Sequence, residues 1–170
     1  MEEKEEVSKT LQDLYEQDIE DRRSRDWDKA TPEEIQGIIA RDRQRRELAQ
    51  KLLDEGEAKT ASDYHYLALI FQHGDKIDDY KTAHECAKRA MEMGDDGVKW
   101  LFAATEDRWL LSEGRPQKYG TQFINPEGKG WQLAEPIDPT ITDEERAKYN
   151  VPSLAEARQK FKKKYEVSES

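Results

Sequence analysis

The sequence of 170 residues is poor in the residues that form covalent cross-links or membrane spans. It has one cysteine, Cys86, so no intramolecular disulfide can form and no zinc site can be built from cysteine pairs. No stretch approaches the roughly 20 apolar residues that a membrane-spanning helix needs. The first ten residues have neither a basic segment nor an apolar core. We therefore expect a cytoplasmic protein that is neither secreted nor inserted in a membrane.

Charge is abundant and unevenly spread. Charged residues make up 39% of the chain and the net charge is −10, with nine acidic residues among the first 21. A short basic run lies near the other end, at Arg158, Lys160, Lys162, Lys163 and Lys164. Binding to a phosphate backbone needs a wide positive surface, which an acidic protein with one short basic run lacks. We expect no nucleic-acid partner, because basic residues also suit the last turn of a helix.

Apolar residues recur at helical spacing in the first half of the chain. Val7, Leu11, Leu14, Tyr15 and Ile19 predict a first helix that ends near Arg22. Thr31-Pro32-Glu33-Glu34 is a helix start signal, and the second helix should run to about Glu55. Its predicted inner face is Ile35, Ile38, Ile39, Ala49, Leu52 and Leu53. The third helix, over about 60–73, is apolar on nearly all sides and should be central.

Two further helices complete the predicted bundle. The fourth should begin at Asp78 or Asp79, pack small alanines inward and end at Gly94. The fifth should follow Asp95 and close at Gly114. Residues 60–94 have the size of one tetratricopeptide or Sel1-like repeat. Since no second copy is visible, we expect a single helical hairpin inside a globular bundle.

The chain changes character after Pro116. About 25 residues rich in glycine and proline hold no helical period, which predicts a long loop. Aromatic residues within it indicate that the loop is ordered. Thr142 and Ser153 each begin another capping box, the second before a terminal helix. The prediction is therefore a mostly α, single-domain helical bundle over 1–165, with a frayed tail over 166–170.

Several charged residues fall on positions that should face the core. Asp18 and Arg22 continue the apolar stripe of the first helix, and Asp42 and Arg46 continue that of the second. The fifth helix directs Asp107 and Arg108 inward in the same way. An uncompensated buried charge is costly, so these groups should pair with one another or line a wet cavity. Structural ion pairs at a polar end of the bundle and a polar pocket both remain open.

Three segments carry a resemblance to a known family. They are Phe71-Gln72-His73-Gly74, Asp107-Arg108, and the stretch from Gly114 to Gln122 that contains Gln117-Lys118-Tyr119-Gly120-Thr121-Gln122. Together they resemble a family of mostly bacterial proteins described as a domain of unknown function, over about residues 10–160. That family also has an upstream element made of an acidic residue, a glutamine, any residue, a second acidic residue and an arginine. Residues 17–22 match it imperfectly, because Ile19 stands at the position of the glutamine. The resemblance implies an α-helical fold and a shared polar site, and no established activity.

The candidate site combines these segments with the inward charges. His73 is a candidate general acid or base that Asp107 would orient, and Tyr119 a candidate proton donor or stacking residue. A buried, hydrogen-bonded histidine is the alternative for His73. The candidate ligand-binding residues are Arg22, Asp42, Gln72, Arg108, Gln117, Thr121 and Gln122, in which arginines would clamp a carboxylate or phosphate.

Other chemistries are not supported. His65 and His73 share a helix face but lie about 12 Å apart along it, too far to hold one metal ion. Cys86 lies among alanines as a small buried thiol, and no phosphate-cradling or dinucleotide motif is present. We expect no metal and no cofactor. Two functions remain: a module that binds a small polar or anionic ligand or a peptide, with a protein partner possible, and a cofactor-free hydrolase or lyase that uses His73.

Overall fold

The computed structural model describes residues 10–23 and 25–162. The helices of the bundle are α1 (Leu11–Arg23), α2 (Pro32–Asp54), α3 (Ala61–Gln72), α4 (Ile77–Glu92), α5 (Lys99–Ser112), α6 (Asp143–Lys148) and α7 (Leu154–Gln159). A 3-10 turn, Asp96–Val98, precedes α5. The chain is therefore mostly α, as predicted. Val7, the last two lysines of the basic run and the predicted frayed tail lie outside the described residues.

The predicted helix starts are confirmed with one exception. Thr31, Thr142 and Ser153 each accept a hydrogen bond from the backbone of a glutamate three residues later, which closes a capping box. The exception is α4, whose N-cap is Lys76 rather than Asp78 or Asp79. Oδ2 of Asp79 accepts hydrogen bonds from the backbone of residues 75 and 76, so the helix begins one turn closer to α3.

The core lies between α3, α4 and α5, and α3 and α4 form the predicted hairpin. Ala83, Ala87 and Ala90 are completely buried, because small side chains on α4 let the neighbouring helices approach closely. Leu67, Ile70 and Phe71 of α3 fill the centre. The prediction that α3 is central is correct.

The inner face of α2 differs from the one predicted. Ile35 and Ile39 are 36% and 41% exposed, whereas Ile38 is buried. The buried residues of α2 are spaced by four, three, one and three: Ile38, Asp42, Arg45, Arg46 and Ala49. The prediction used the stripe with the most apolar residues, but the real inner face is polar over its middle. It packs charge against α1 and α3 instead of hydrocarbon.

The segment after α5 is ordered and contains regular structure. Strands β1 (Phe123–Ile124) and β2 (Gln132–Leu133) pair antiparallel, with Phe123 opposite Leu133. A second apolar cluster, centred on Ala103, Tyr119 and Val151, attaches this segment to α5. The loop is therefore packed, and its path decides which side chains meet α5.

Among the described residues, none of the helices combines the length and the apolar character that crossing a bilayer requires.

Candidate functional site

The C-terminal end of α3 is where several helices meet. A helix leaves its last carbonyls without intrahelical partners, and here three donors from other helices satisfy them. Arg108 Nη1 donates to the carbonyl of Gln72 at 2.6 Å and Arg46 Nη1 to that of His73 at 2.8 Å. The hydroxyl of Tyr80 donates to the carbonyl of Gly74 at 2.9 Å. The motif that ends α3 thus joins α2, α4 and α5.

Gly74 permits this close approach. A Cβ placed on it would lie 2.3 Å from Cβ of Asp79, a distance that no real side chain tolerates. Only glycine fits the turn between α3 and α4 without displacing the start of α4.

The side chain of His73 pairs with Asp18, not with Asp107 as the sequence led us to expect. Nδ1 of His73 lies 3.1 Å from Oδ1 of Asp18, which also accepts a hydrogen bond from Arg22 at 2.9 Å. Asp18 is 2% exposed and the His73 side chain 21%. Because a carboxylate can only accept, Nδ1 carries the proton and Nε2 of the neutral ring is left as an acceptor.

Beneath His73 lies a network of aspartates and arginines between α1 and α2. Asp42 accepts from both Nη atoms of Arg22, at 3.2 and 2.6 Å, and from Arg45 at 2.5 Å. Burial by itself would raise the pKa of Asp42, but the hydrogen bonds and charges of these two arginines hold it below its ordinary value. Arg45 is 4% exposed and also pairs with Asp21 at 2.7 Å. This part of the site is a set of buried ion pairs, in which Oδ2 of Asp18 and Nε of Arg45 find no hydrogen-bond partner among the described residues.

Asp107 is completely buried and holds the loop that follows α5. Its Oδ1 accepts from the backbone N–H groups of Lys118 and Tyr119, at 2.7 and 2.9 Å. Its Oδ2 accepts from the backbone N–H and the hydroxyl of Thr121, at 3.0 and 2.7 Å. Burial raises the pKa of Asp107, and these hydrogen bonds act against that rise. Since loop donors engage both oxygens, Asp107 is not placed to orient His73.

Gln117 and Tyr119 are likewise engaged by the loop. The Gln117 side chain is fully buried and donates to the carbonyls of Gln122 and Ala134, at 3.2 and 2.6 Å. The Tyr119 ring packs edge-on against Tyr149 at 5.1 Å. Burial, followed by the nearby carboxylate of Glu106, raises the pKa of Tyr119 far above its usual range. In the part of the chain that the structure describes, no hydrogen bond or ring contact joins Tyr119 to His73.

Arg108 links the two regions. Its Nε donates to Oε1 of Gln122 at 3.0 Å and its Nη1 to the Gln72 carbonyl. Within 10–23 and 25–162, no carboxylate forms an ion pair with it. Burial lowers the pKa of Arg108; the positive charge of Arg22 lowers it further, whereas Tyr80 raises it.

Five of the ten predicted site residues are brought together where the ends of α1 and α3 meet α5 and the loop after it. We call this the junction site: Arg22, Gln72, His73, Arg108 and Gln122. All five are half-buried, so each is shielded from bulk water yet reachable from it. Asp42 lies directly beneath them. Asp107, Gln117, Tyr119 and Thr121 instead hold the loop that positions Gln122.

Two open grooves lie beside the junction site. One, of about 650 Å³, runs between α2 and the start of α4 and is lined by residues that include Arg46, Phe71 and Asp75. The other, of about 310 Å³, lies at the end of α1 and includes Asp21 and Glu34. Neither groove is lined by His73 or Tyr119, so the single cavity expected around both is not found in either. Among the described residues, no group of three or more His, Cys, Asp or Glu side chains is placed to hold a metal ion.

No protein-family model, curated protein or solved structure matches the chain.

The sequence analysis missed Arg45 and did not place Asp18 among the site residues. Arg45 was overlooked because the predicted stripe passed from Asp42 to Arg46. The steps from Ile38 through Asp42 and Arg45 to Ala49 are also helical, and they were the available signal.

Proposed function

We propose that the junction site binds a small anionic ligand, or the carboxylate of a peptide, in a cytoplasmic protein. The observation that carries this proposal is the bonding of Arg108. Its two hydrogen bonds go to neutral oxygens, and it forms no ion pair within the described residues. A half-buried guanidinium without a counter-ion is an unfavourable arrangement that an anion would relieve.

The neighbouring arginines support the choice of Arg108 as the anchor. Arg22 already has Asp18 and Asp42, and Arg45 has Asp21 and Asp42. Buried guanidinium groups that hold carboxylates have little to gain from a further anion. The Gln72 carbonyl offsets part of the Arg108 charge, since the C-terminal end of a helix carries a partial negative charge. It does not replace a full counter-ion.

The sequence resemblance agrees with this location, because its segments supply Gln72, His73, Arg108 and Gln122. We propose that the chain shares with that family a polar site at the end of α3.

Replacing Arg108 with methionine should abolish anion binding. Methionine keeps most of the apolar stem and removes the charge and the donors. We expect sodium acetate, lactate or phosphate to raise the melting temperature of the wild type in a saturable way at constant ionic strength, because a ligand that binds only the folded state stabilises it. Thermal shift on the Arg108→Met variant should show no such rise.

The matched control is Arg43→Met. Arg43 is 62% exposed and pairs with Asp75 outside the junction site, so this variant should respond to anions as the wild type does. An Arg108→Met variant that keeps the full response, or a wild type that responds to none of the three salts, contradicts the proposal.

A second candidate function is acid–base catalysis by His73. The observation that favours it is the pair of His73 with the buried carboxylate of Asp18. Such a partner fixes the orientation of an imidazole and leaves its Nε2 able to take a proton from a substrate or water.

If His73 is a general base, the wild type should hydrolyse p-nitrophenyl acetate faster than His73→Gln by about 10²-fold or more. Asp18→Asn should show a smaller loss, since it misorients the ring without removing it. The rate is followed by absorbance at fixed protein concentration, with acetate binding measured in parallel. Equal rates for the wild type and His73→Gln, with binding intact, exclude the catalytic role and leave the binding module.

A further inference from the structure

Most of the charged side chains around the junction site form ion pairs with one another. On α1 and α2, three arginines face three aspartates: Arg22, Arg41 and Arg45 pair with Asp18, Asp21 and Asp42. At the end of α3, Arg43 and Arg46 face Asp75 and Asp79 at 3.5 Å. Arg108 is a positive charge at the site that these pairs leave without a carboxylate partner among the described residues. A ligand with one negative charge would match the charge of Arg108.

A ligand with two negative charges would exceed the single positive charge of Arg108. The Gln72 carbonyl already supplies part of a negative charge to Arg108. With a dianion bound, about one negative charge would remain uncompensated among half-buried groups. Removing such a charge from water is costly. The charge balance therefore favours a monoanion over a doubly charged phosphoryl group.

The remaining hydrogen-bonding capacity describes the ligand further. Arg108 has committed Nε and Nη1, and its Nη2 forms no hydrogen bond within the described residues, so it is a free donor beside the bound Nη1. His73 presents the opposite capacity, because its Nδ1 is occupied by Asp18 and Nε2 of the neutral ring accepts. A carboxylate satisfies the guanidinium and a hydroxyl group satisfies the imidazole.

We infer that the ligand of the junction site is a hydroxy-monocarboxylate, with its carboxylate on Arg108 and its hydroxyl group donating to Nε2 of His73. This inference rests on the proposed anion binding and adds the charge and the functional groups of the ligand. It assigns Arg108 the discrimination between singly and doubly charged anions, and His73 the discrimination between lactate and acetate.

Isothermal titration calorimetry at pH 8 with lactate, acetate and inorganic phosphate tests the inference. An imidazole is ordinarily neutral at this pH, and phosphate is mostly a dianion. We expect lactate to bind about tenfold more tightly than acetate, which corresponds to one hydrogen bond of about 1.4 kcal/mol. Phosphate should bind more weakly than either carboxylate.

Two variants separate the parts of the inference. His73→Leu should remove the preference for lactate, so that this variant binds lactate and acetate with equal affinity. Gln72→Lys adds a positive charge at the site and removes no hydrogen bond made by the Gln72 side chain within the described residues, so it should raise the affinity for phosphate by about tenfold or more. The Gln72→Lys test stays informative if His73→Leu fails to fold, as judged by circular dichroism.

The outcomes distinguish the inference from the function on which it rests. If phosphate binds the wild type more tightly than lactate and Arg108→Met abolishes both, anion binding stands and the hydroxy-monocarboxylate is excluded. Equal affinities for lactate and acetate exclude the role of Nε2. If none of the three anions binds, or Arg108→Met binds them unchanged, the proposed function itself fails.

Discussion

Replacing Asp107 with alanine should lower the free energy of unfolding by about 3 kcal/mol or more, since a buried donor left without its acceptor costs about 1–3 kcal/mol. The variant removes the acceptor of three backbone N–H groups and one hydroxyl, from Lys118, Tyr119 and Thr121. Asp107 is completely buried, so water cannot replace it without opening the loop. We expect the loop after α5 to detach from the helix.

Chemical denaturation of the wild type and a graded series of variants measures this effect. Thr121→Val removes one of the four hydrogen bonds and should cost about 1 kcal/mol. The loss of stability in Asp107→Asn should lie between those of Thr121→Val and Asp107→Ala. The amide keeps one accepting oxygen but turns an NH₂ group towards donors. Hydrogen exchange of the amides of Lys118 and Tyr119 should accelerate in step. If the free energy of unfolding of Asp107→Ala equals that of the wild type, the loop is held by its apolar contacts alone.

Replacing Asp42 with alanine should destabilise the fold by about 3–5 kcal/mol, the range for removing one partner of a buried ion pair. Asp42 is 6% exposed and is the only described residue that accepts from both Arg22 and Arg45. Its loss leaves two guanidinium groups with fewer partners in a place that water reaches poorly. Thermal and urea denaturation measure the change.

Asp26→Ala is the control for Asp42→Ala. Asp26 pairs with Lys29 on the surface, where both side chains are more than half exposed, and such a pair contributes about 1 kcal/mol at most. If the two variants lose equal stability, the buried network contributes no more to stability than a surface ion pair, and the prediction is wrong.

The same network predicts an acid response. The pKa of Asp42 is lower in the folded protein than in the unfolded chain, so the folded state binds its proton only at lower pH. Its contribution is fully present above the unfolded value of about 4 and is lost as the pH falls through the folded value. Below about pH 4 the wild type should therefore lose stability more steeply than Asp42→Ala. Parallel slopes in urea denaturation between pH 5 and pH 2.5 would contradict this.

Much of the candidate site was predictable because helical periodicity sets side-chain direction. The positions of Asp18, Asp42 and Asp107 on otherwise apolar faces predicted that all three are buried, and they are 2%, 6% and 0% exposed. Capping boxes at Thr31, Thr142 and Ser153 follow from local hydrogen bonds between near neighbours. Local rules of this kind need no knowledge of the rest of the chain.

Pairings between helices were not predictable in the same way. The sequence analysis predicted that Asp107 pairs with His73. In the structure His73 pairs with Asp18, and Asp107 accepts hydrogen bonds from the loop after α5. The prediction that Ile35 and Ile39 lie on the inner face of α2 was wrong for a related reason, since both side chains are exposed. Which face of α2 is inner depends on the charged face that α1 presents to it, and apolar content alone does not report that.

By itself, the sequence determined that the chain is a mostly helical bundle with charges inside it, since side-chain periodicity and capping are properties of a few neighbouring residues. Only the tertiary structure decided which charges meet. The packing of α3 and α5 and the path of the loop place Arg108 beside Gln72 and Gln122, and it forms no ion pair with a carboxylate among the described residues. Distances between residues far apart in the chain depend on how whole elements pack, and no local pattern contains them.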